Sequence, residues 1–209
     1  MSRHARSDWF LAAAAAAVLT GASGALAANA PAATAPEHVL GSPTAPVTVV
    51  EYASVGCPHC AAWANQVFPA FKKTWIDTGK VRFVFHEMIT GDSELAVAGF
   101  MVADCAPADR YFQVVDDIFA DQVGIAQGGG AALLKVAKAA GMTPDQFDAC
   151  LTNHQALADL QTRTDKDAQD HGVQFTPTFF VNGHKLDGDP TLKDLDAAIE
   201  SAERAHRKG

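Results

Sequence analysis

Residues 47–53, Val-Thr-Val-Val-Glu-Tyr-Ala, lead almost directly into Cys57-Pro58-His59-Cys60, and this junction limits the possible folds more than any other stretch. A β-branched run following Pro46 reads as a buried strand. From Cys57 the period changes: Ala61, Ala64, Val67, Phe68, Phe71 and Trp75 are spaced for one face of a helix, which Pro69 should kink rather than end. Two cysteines are thereby placed where a strand hands over to a helix. The Cys57 sulfur then sits beside unpaired backbone N–H groups and the positive end of the helix dipole, and both favour thiolate over thiol. Pro58 suits a first turn, where no N–H is required. A protonated His59 imidazole would lower the Cys57 pKa further. Stabilising that thiolate stabilises the reduced form, so the disulfide becomes more oxidising, by roughly 30 mV for each pKa unit below ambient pH. Cys60, one turn inside the helix, is expected to be more buried and to act as the resolving thiol. Three other readings compete. Half of a zinc site would need a second Cys-x-x-Cys or a His-x-x-x-His, and neither follows. Haem attachment would need histidine at position 61, which is alanine. An inert structural disulfide would close too short a loop to constrain much.

The remaining pattern frames that junction. Val81–His86 alternates as a second strand after Gly79. Residues 92–170 read as helices only, over 94–105, 110–121, 131–140, 144–151 and 157–170, separated by Pro107, Gly128-Gly129-Gly130 and Gly141. Strands resume at 178–181, and Asn182-Gly183 signals a type I′ hairpin into 184–186. Residues 191–207 make a last helix, with Leu192, Leu195, Ala198, Ile199 and Ala202 on its inner face. The order is a βα unit and a strand, a helical insertion, then a ββα unit. The first two strands should be parallel through a right-handed crossover and the last two antiparallel, giving an α/β fold with a mixed sheet.

The N-terminus bears on the redox compartment. Arg3, His4 and Arg6 precede an alanine-rich apolar run from Trp9 to Thr20, and Ala25-Leu26-Ala27 and Ala28-Asn29-Ala30 both fit signal-peptidase cleavage. Residues 1–27 are therefore read as a cleaved export signal, and 28–37 as a flexible lead-in. Losing Arg3, Arg6 and Asp8 moves the net charge from −8 to −9. An acidic chain without a basic cluster does not suit nucleic acid. All four cysteines lie in the exported part, where an even count suggests two disulfides. The other histidines show no metal-ligand spacing, so neither a metal nor a cofactor is expected.

Gly41-Ser42-Pro43-Thr44-Ala45-Pro46, Gly56-Cys57-Pro58-His59-Cys60 and the stretch from Gly172 through Phe175-Thr176-Pro177-Thr178 to Gly183 together resemble the DsbA-like branch of the thioredoxin superfamily, over nearly all of residues 38–207. The resemblance implies a thioredoxin fold whose halves, 38–90 and 171–209, flank an inserted helical domain at 91–170. It implies that Pro177 is a cis-proline beside the dithiol, that the backbone at Thr176 pairs with substrate, and that Glu51 is a buried acid accepting the proton of Cys60. Glu51 as a structural glutamate is the rival reading. Cys105 and Cys150 form an extra pair shared with some members of the branch, read as a structural staple, with a second redox centre as the alternative.

Function follows as an expectation: a periplasmic oxidase that introduces disulfides into reduced, folding exported proteins and is reoxidised by a DsbB-type membrane quinone reductase or by small-molecule disulfides. Thr176 stands where the best-known oxidases carry an aliphatic residue, which keeps an isomerase or reductase in play. Isomerases of the superfamily usually oligomerise through an added N-terminal domain. Residues 28–45 are too short and proline-rich for one, so a monomer is expected. An exported binding or chaperone module with an idle dithiol is the non-enzymatic alternative.

Overall fold

Glu51 and its strand neighbours occupy the middle of a five-stranded sheet, and that position explains why the run is so apolar. The computed structural model describes residues 37–186, 188 and 190–208. The expected export signal and all but the last residue of the expected lead-in lie outside the described residues. The strands are β1 (His38–Gly41), β2 (Val47–Ala53), β3 (Val81–Glu87), β4 (Thr178–Val181) and β5 (His184–Lys185). They are ordered β1-β3-β2-β4-β5, with β2 and β3 parallel and the other pairs antiparallel. β2 thus has a strand on each side, as a run buried on both faces requires. Asn182 and Gly183 both take positive φ, 46° and 82°, the pattern a type I′ turn needs.

The helices are α1 (Pro58–Gln66), α2 (Phe68–Phe71), α3 (Ser93–Cys105), α4 (Tyr111–Ala120), α5 (Gln122–Ala139), α6 (Pro144–Leu151), α7 (His154–Asp170) and α8 (Leu192–His206). α1 gives way to α2 at Val67, two residues ahead of Pro69, and a π-helical turn at Lys72–Ile76 continues the line. Trp75 donates its indole N–H to Asp196 of α8 at 2.6 Å, tying that extension down. Capping boxes at Thr143/Gln146 and Thr191/Asp194 start α6 and α8.

Two parts differ from the sequence reading. β1, which the pattern did not announce, pairs with the outer side of β3. It is only four residues long and half-buried, so it carries no alternation to detect. The Gly128-Gly129-Gly130 run does not separate two helices by a loop. Helical structure begins at Gln122, and Gly129 alone leaves helical geometry, at φ 54° and ψ −144°, as a kink that a side chain would strain.

The odd-numbered side of β2, Val47, Val49 and Ala53, joins the main core with residues of α1, α3, α4 and α8, including Trp63, Phe100, Ile118 and Ile199. The opposite side packs Tyr52 with Met88 and Val173. A buried polar clamp also holds the helical block to the sheet. Glu87 of β3 accepts from Tyr111 Oη at 2.9 Å and from Arg163 Nε at 2.7 Å, and Arg163 also pairs with Asp104. Burial pushes the Glu87 carboxyl up to about 7, against the pull of Arg163.

Within the helical block, Cys105 at the end of α3 is disulfide-bonded to Cys150 of α6, across 45 residues of sequence. Replacing both with alanine should lower stability by up to about 4 kcal/mol on the chain-entropy account. Melting curves and oxidation of a dithiol peptide, measured side by side, check this. Lost turnover at unchanged melting temperature would show that the bridge takes part in chemistry.

Candidate active site

The active-site sequence turns from strand to helix at Cys57, and Pro58 suits the first turn because no N–H is needed there. Cys57 is the N-cap of α1, with φ −96° and ψ 120°, and Pro58 occupies the first turn. Cys57 N donates to Ser54 O at 3.0 Å, and Ala61 N donates to Cys57 O at 3.1 Å, so the chain turns from β2 into α1 within a few residues. Cys57 and Cys60 are free thiols. Cys57 is 6 % exposed and Cys60 is fully buried.

That small difference in depth accompanies opposite acid–base behaviour. A hydrogen bond from the Cys60 thiol is the largest influence on Cys57, and it holds the sulfur down at about 5 against the opposing effect of burial. The Thr176 side chain and the backbone N–H groups of Cys60 and His59 add to it. His59 thus enters through its main chain at the helix start. Burial drives Cys60 the other way, far above the ordinary thiol range, helped by the Cys57 hydrogen bond and by Glu51. Ser54 N donates to the Cys60 sulfur at 3.5 Å.

Across from the dithiol, the Thr176–Pro177 bond is cis, and the Thr176 carbonyl lies 3.4 Å from the Cys57 sulfur. The Thr176 hydroxyl is hydrogen-bonded to that of Thr90 at 2.6 Å. A cavity of about 210 Å³ adjoins this point, lined by Met88, Thr90, Ala168, Val173, Phe175 and Thr176 among others. Phe175 is 45 % exposed there, with the Lys185 ammonium 5.2 Å from its ring centre. Glu51 is 3 % exposed. Burial, then Asp116, then Cys57 raise its pKa well above the ordinary carboxylate value. The Cys105–Cys150 bridge lies apart from this group. The N-terminal end of α3 touches the dithiol loop through Asp92, while Cys105 ends the same helix 13 residues on, about 20 Å away.

Several residues absent from the sequence reading complete the site. Gln122 Nε2 donates to the carbonyls of Val55 and Cys57 at 2.7 and 3.1 Å, so the helical block holds the dithiol loop directly. Ser54 Oγ donates to Thr90 O at 2.8 Å, and Asp92 N donates to Gly56 O at 2.9 Å. A Cβ on Gly56 would come within 2.1 Å of Asp92 O, so the two loops interlock only with glycine there. Polar side chains of this kind have no periodicity, and only the fold reveals what they face. As for metals, His38, Glu87 and Asp104 bring ligand atoms within 4.8 Å of one another, but Arg163 already bridges both carboxylates.

A family model described as thioredoxin matches residues 33–201. A Rickettsia conorii protein whose name assigns it as a protein-disulfide oxidoreductase is 31 % identical over 169 residues, covering 79 % of this chain and 60 % of its own length. This chain therefore spans under two thirds of that relative. Disulfide bond formation protein D of Bacillus anthracis is 29 % identical over 170 residues, covering 78 % of this chain and 77 % of its own. Among solved structures, alpha-DsbA1 of Wolbachia pipientis superposes with a TM-score of 0.74 at 23 % identity, over 83 % of this chain and 94 % of that one.

The opposed environments of the two sulfurs predict their labelling. With the Cys105–Cys150 bond intact, iodoacetamide should alkylate Cys57 and spare Cys60. The alkylation rate should rise through an apparent pKa of about 5. Mass mapping after labelling near pH 6 reads the outcome, and preferential labelling of Cys60 would reverse the assignment.

Proposed function

The chain belongs to the thioredoxin family, and from that premise we propose that it is a DsbA-like, exported protein dithiol oxidase, introducing disulfides into reduced, folding proteins of the periplasm. The observation that carries the direction is the place of Cys57 at the start of α1, where the Cys60 thiol and the backbone N–H groups of His59 and Cys60 face its sulfur, favour the thiolate and so stabilise the reduced form. The export reading is supported by the basic start, the apolar run and the small-residue cleavage patterns before residue 31.

The exchange proceeds in two displacements. A substrate thiolate attacks Cys57 Sγ of the Cys57–Cys60 disulfide. The S–S bond breaks, and Cys60 leaves and takes up a proton, since burial disfavours its charge. Glu51 supplies that proton. The substrate backbone is held by β-type pairing at Thr176, with its flanking side chains in the groove beside Phe175. A second substrate thiolate then attacks the substrate sulfur of the mixed disulfide, and Cys57 departs as a stabilised thiolate. The dithiol is returned to the disulfide by a DsbB-type membrane quinone reductase or by small-molecule disulfides, and the protein works as a monomer. Thr176 ahead of the cis-proline favours the second reading, an isomerase or reductase of the same fold.

Two melting curves separate these readings, both run with Cys105–Cys150 intact. At neutral pH the form with Cys57 and Cys60 reduced should melt a few degrees above the oxidised form. A folded pKa near 5 lies below the unfolded value of 9.0. The thiolate contribution is therefore full above pH 9.0 and fades as the pH falls through about 5, so the gap should narrow over that window. An oxidised form that is clearly the more stable at pH 7 would favour the reductase.

A further inference from the structure

We propose that Asp116, on α4 of the helical insertion, is the outer acid of a proton path running from Cys60 through Glu51 to solvent. The inference rests on the dithiol exchange proposed above and extends it to a residue of the inserted helices.

Each cycle obliges Cys60 to gain and lose a proton, because the sulfur is fully buried. Glu51 can exchange that proton but is itself only 3 % exposed, so it too needs an outlet. A cavity of about 20 Å³ is lined by Glu51, Trp63 and Asp116, and otherwise by aliphatic and aromatic side chains. It has room for one water, which requires about 10–15 Å³ and two to four polar partners. The Trp63 indole N–H is buried without a hydrogen-bond partner among the described residues. With Glu51 and Asp116 it supplies the three polar groups that a bridging water would need.

Beyond the cavity, Asp116 also lines an adjoining groove of about 370 Å³ with Asn65, Lys72 and Asp117, and its side chain reaches the surface. The path therefore has an inner end at Cys60, a buried relay at Glu51 and an exposed end at Asp116. The charged surroundings suit a proton passing between the two carboxyls. Asp116 helps to raise Glu51. Asp116 is itself held up at about 6 by partial desolvation and by Asp117 on its own helix, with Lys72 opposing from the π-helical turn. Lys72 is also paired with Asp77. Cys57 is the remaining charged group facing Glu51, and Cys60 is the thiol whose pKa Glu51 raises in turn.

The chemistry balances in the closing step of reoxidation by a disulfide RSSR. Cys57 thiolate attacks one sulfur of RSSR, forms the mixed disulfide and releases RS⁻. The S–H bond of Cys60 then breaks and its proton goes to Glu51. The Cys60 sulfur bonds to Cys57 Sγ, and the second RS⁻ leaves. Glu51 passes the proton through the water to Asp116, which gives it to solvent. RSSR is reduced to two thiolates, and the dithiol is oxidised to a disulfide.

The test uses the reduced full chain, with Cys105–Cys150 intact and glutathione disulfide as oxidant. Rapid acid quench and mass measurement separate mixed-disulfide formation from ring closure across pH. Asp116→Asn should leave the Cys57 attack unchanged and slow closure by about a hundredfold, the lower end of what a positioned proton-transfer group contributes. Its remaining closure should also show an acid limb at lower pH, since a charge that raises Glu51 is gone. Asp116→Glu should restore the rate. Closure at the wild-type rate with an unmoved limb overturns the proposal. So does slowing that Asp116→Glu fails to rescue and that accompanies a lower melting temperature, since Asp116 is then structural. If Glu51→Gln closes at the wild-type rate, the path is overturned while the dithiol exchange stands. If the wild-type protein forms no Cys57–Cys60 disulfide at all, the functional reading falls and the path with it.

Discussion

Negative charge on the Cys57 sulfur is accommodated by the backbone N–H groups that begin α1 and by the thiol of Cys60 one turn below, and the arrangement around it keeps that geometry in place. β2 delivers the chain to the helix start from the centre of the sheet, where strands on both sides prevent it from shifting. The loops after β3 and before β4 close over the junction. Thr90 and Thr176 join them, and Gly56 and Asp92 fit against each other with no space for a Cβ. The difference between the sulfurs is one of solvation. Cys57 is at the helix terminus with donors directed toward it, whereas Cys60 lies where burial outweighs its single backbone donor. Neither sulfur would show this behaviour in an isolated Cys-x-x-Cys peptide.

The helical insertion contributes to this geometry as well as flanking it. Gln122, the first residue of α5, reaches the carbonyls of Val55 and Cys57, so a displacement of the insertion would be felt at the nucleophile. The buried Glu87 clamp ties β3 to α4 and α7, and the Cys105–Cys150 bond ties α3 to α6. Together these restrain the insertion as a body, which is the condition for an amide side chain to hold distances of 2.7 and 3.1 Å to a loop in another part of the fold.

Those long-range polar contacts are also where the sequence was least informative. The βα unit, the hairpin at Asn182-Gly183 and most helices of the insertion were legible because each is encoded locally, by a period, a turn dipeptide or a cap. The dithiol and the Thr176–Pro177 pair were legible as motifs. β1 was not, since a four-residue edge strand obtains its hydrogen bonds from β3 and needs no pattern of its own. The first turns of α5 were masked by the glycine run, of which only Gly129 leaves helical geometry. Gln122, Thr90 and Ser54 are ordinary polar residues until the fold supplies their partners. Asp116 is the same case, because nothing in Val-Val-Asp-Asp-Ile marks one aspartate as facing a cavity behind Glu51.

Two buried glutamates on adjacent strands show how to tell a structural acid from a working one. Glu87 and Glu51 are almost equally buried, at 4 % and 3 % exposure. Glu87 is met by a guanidinium and a phenol, which satisfy both its oxygens and link β3, α4 and α7. An acid held in this way stabilises the assembly only while both partners stay, and removing either leaves a buried charge uncompensated. Glu51 is met instead by another carboxyl, Asp116, and by the charge on Cys57, so its neighbours disfavour ionisation. No packing requirement explains placing an acid there, since a leucine would fill the same space without the desolvation penalty. What such a site provides is a carboxyl whose proton affinity has been raised well above the ordinary carboxylate value, next to a buried thiol that must trade a proton. Burial does not separate the two residues, and neither does a neighbouring carboxylate, since Asp104 raises Glu87 as Asp116 raises Glu51; the guanidinium and phenol bound to the Glu87 oxygens do.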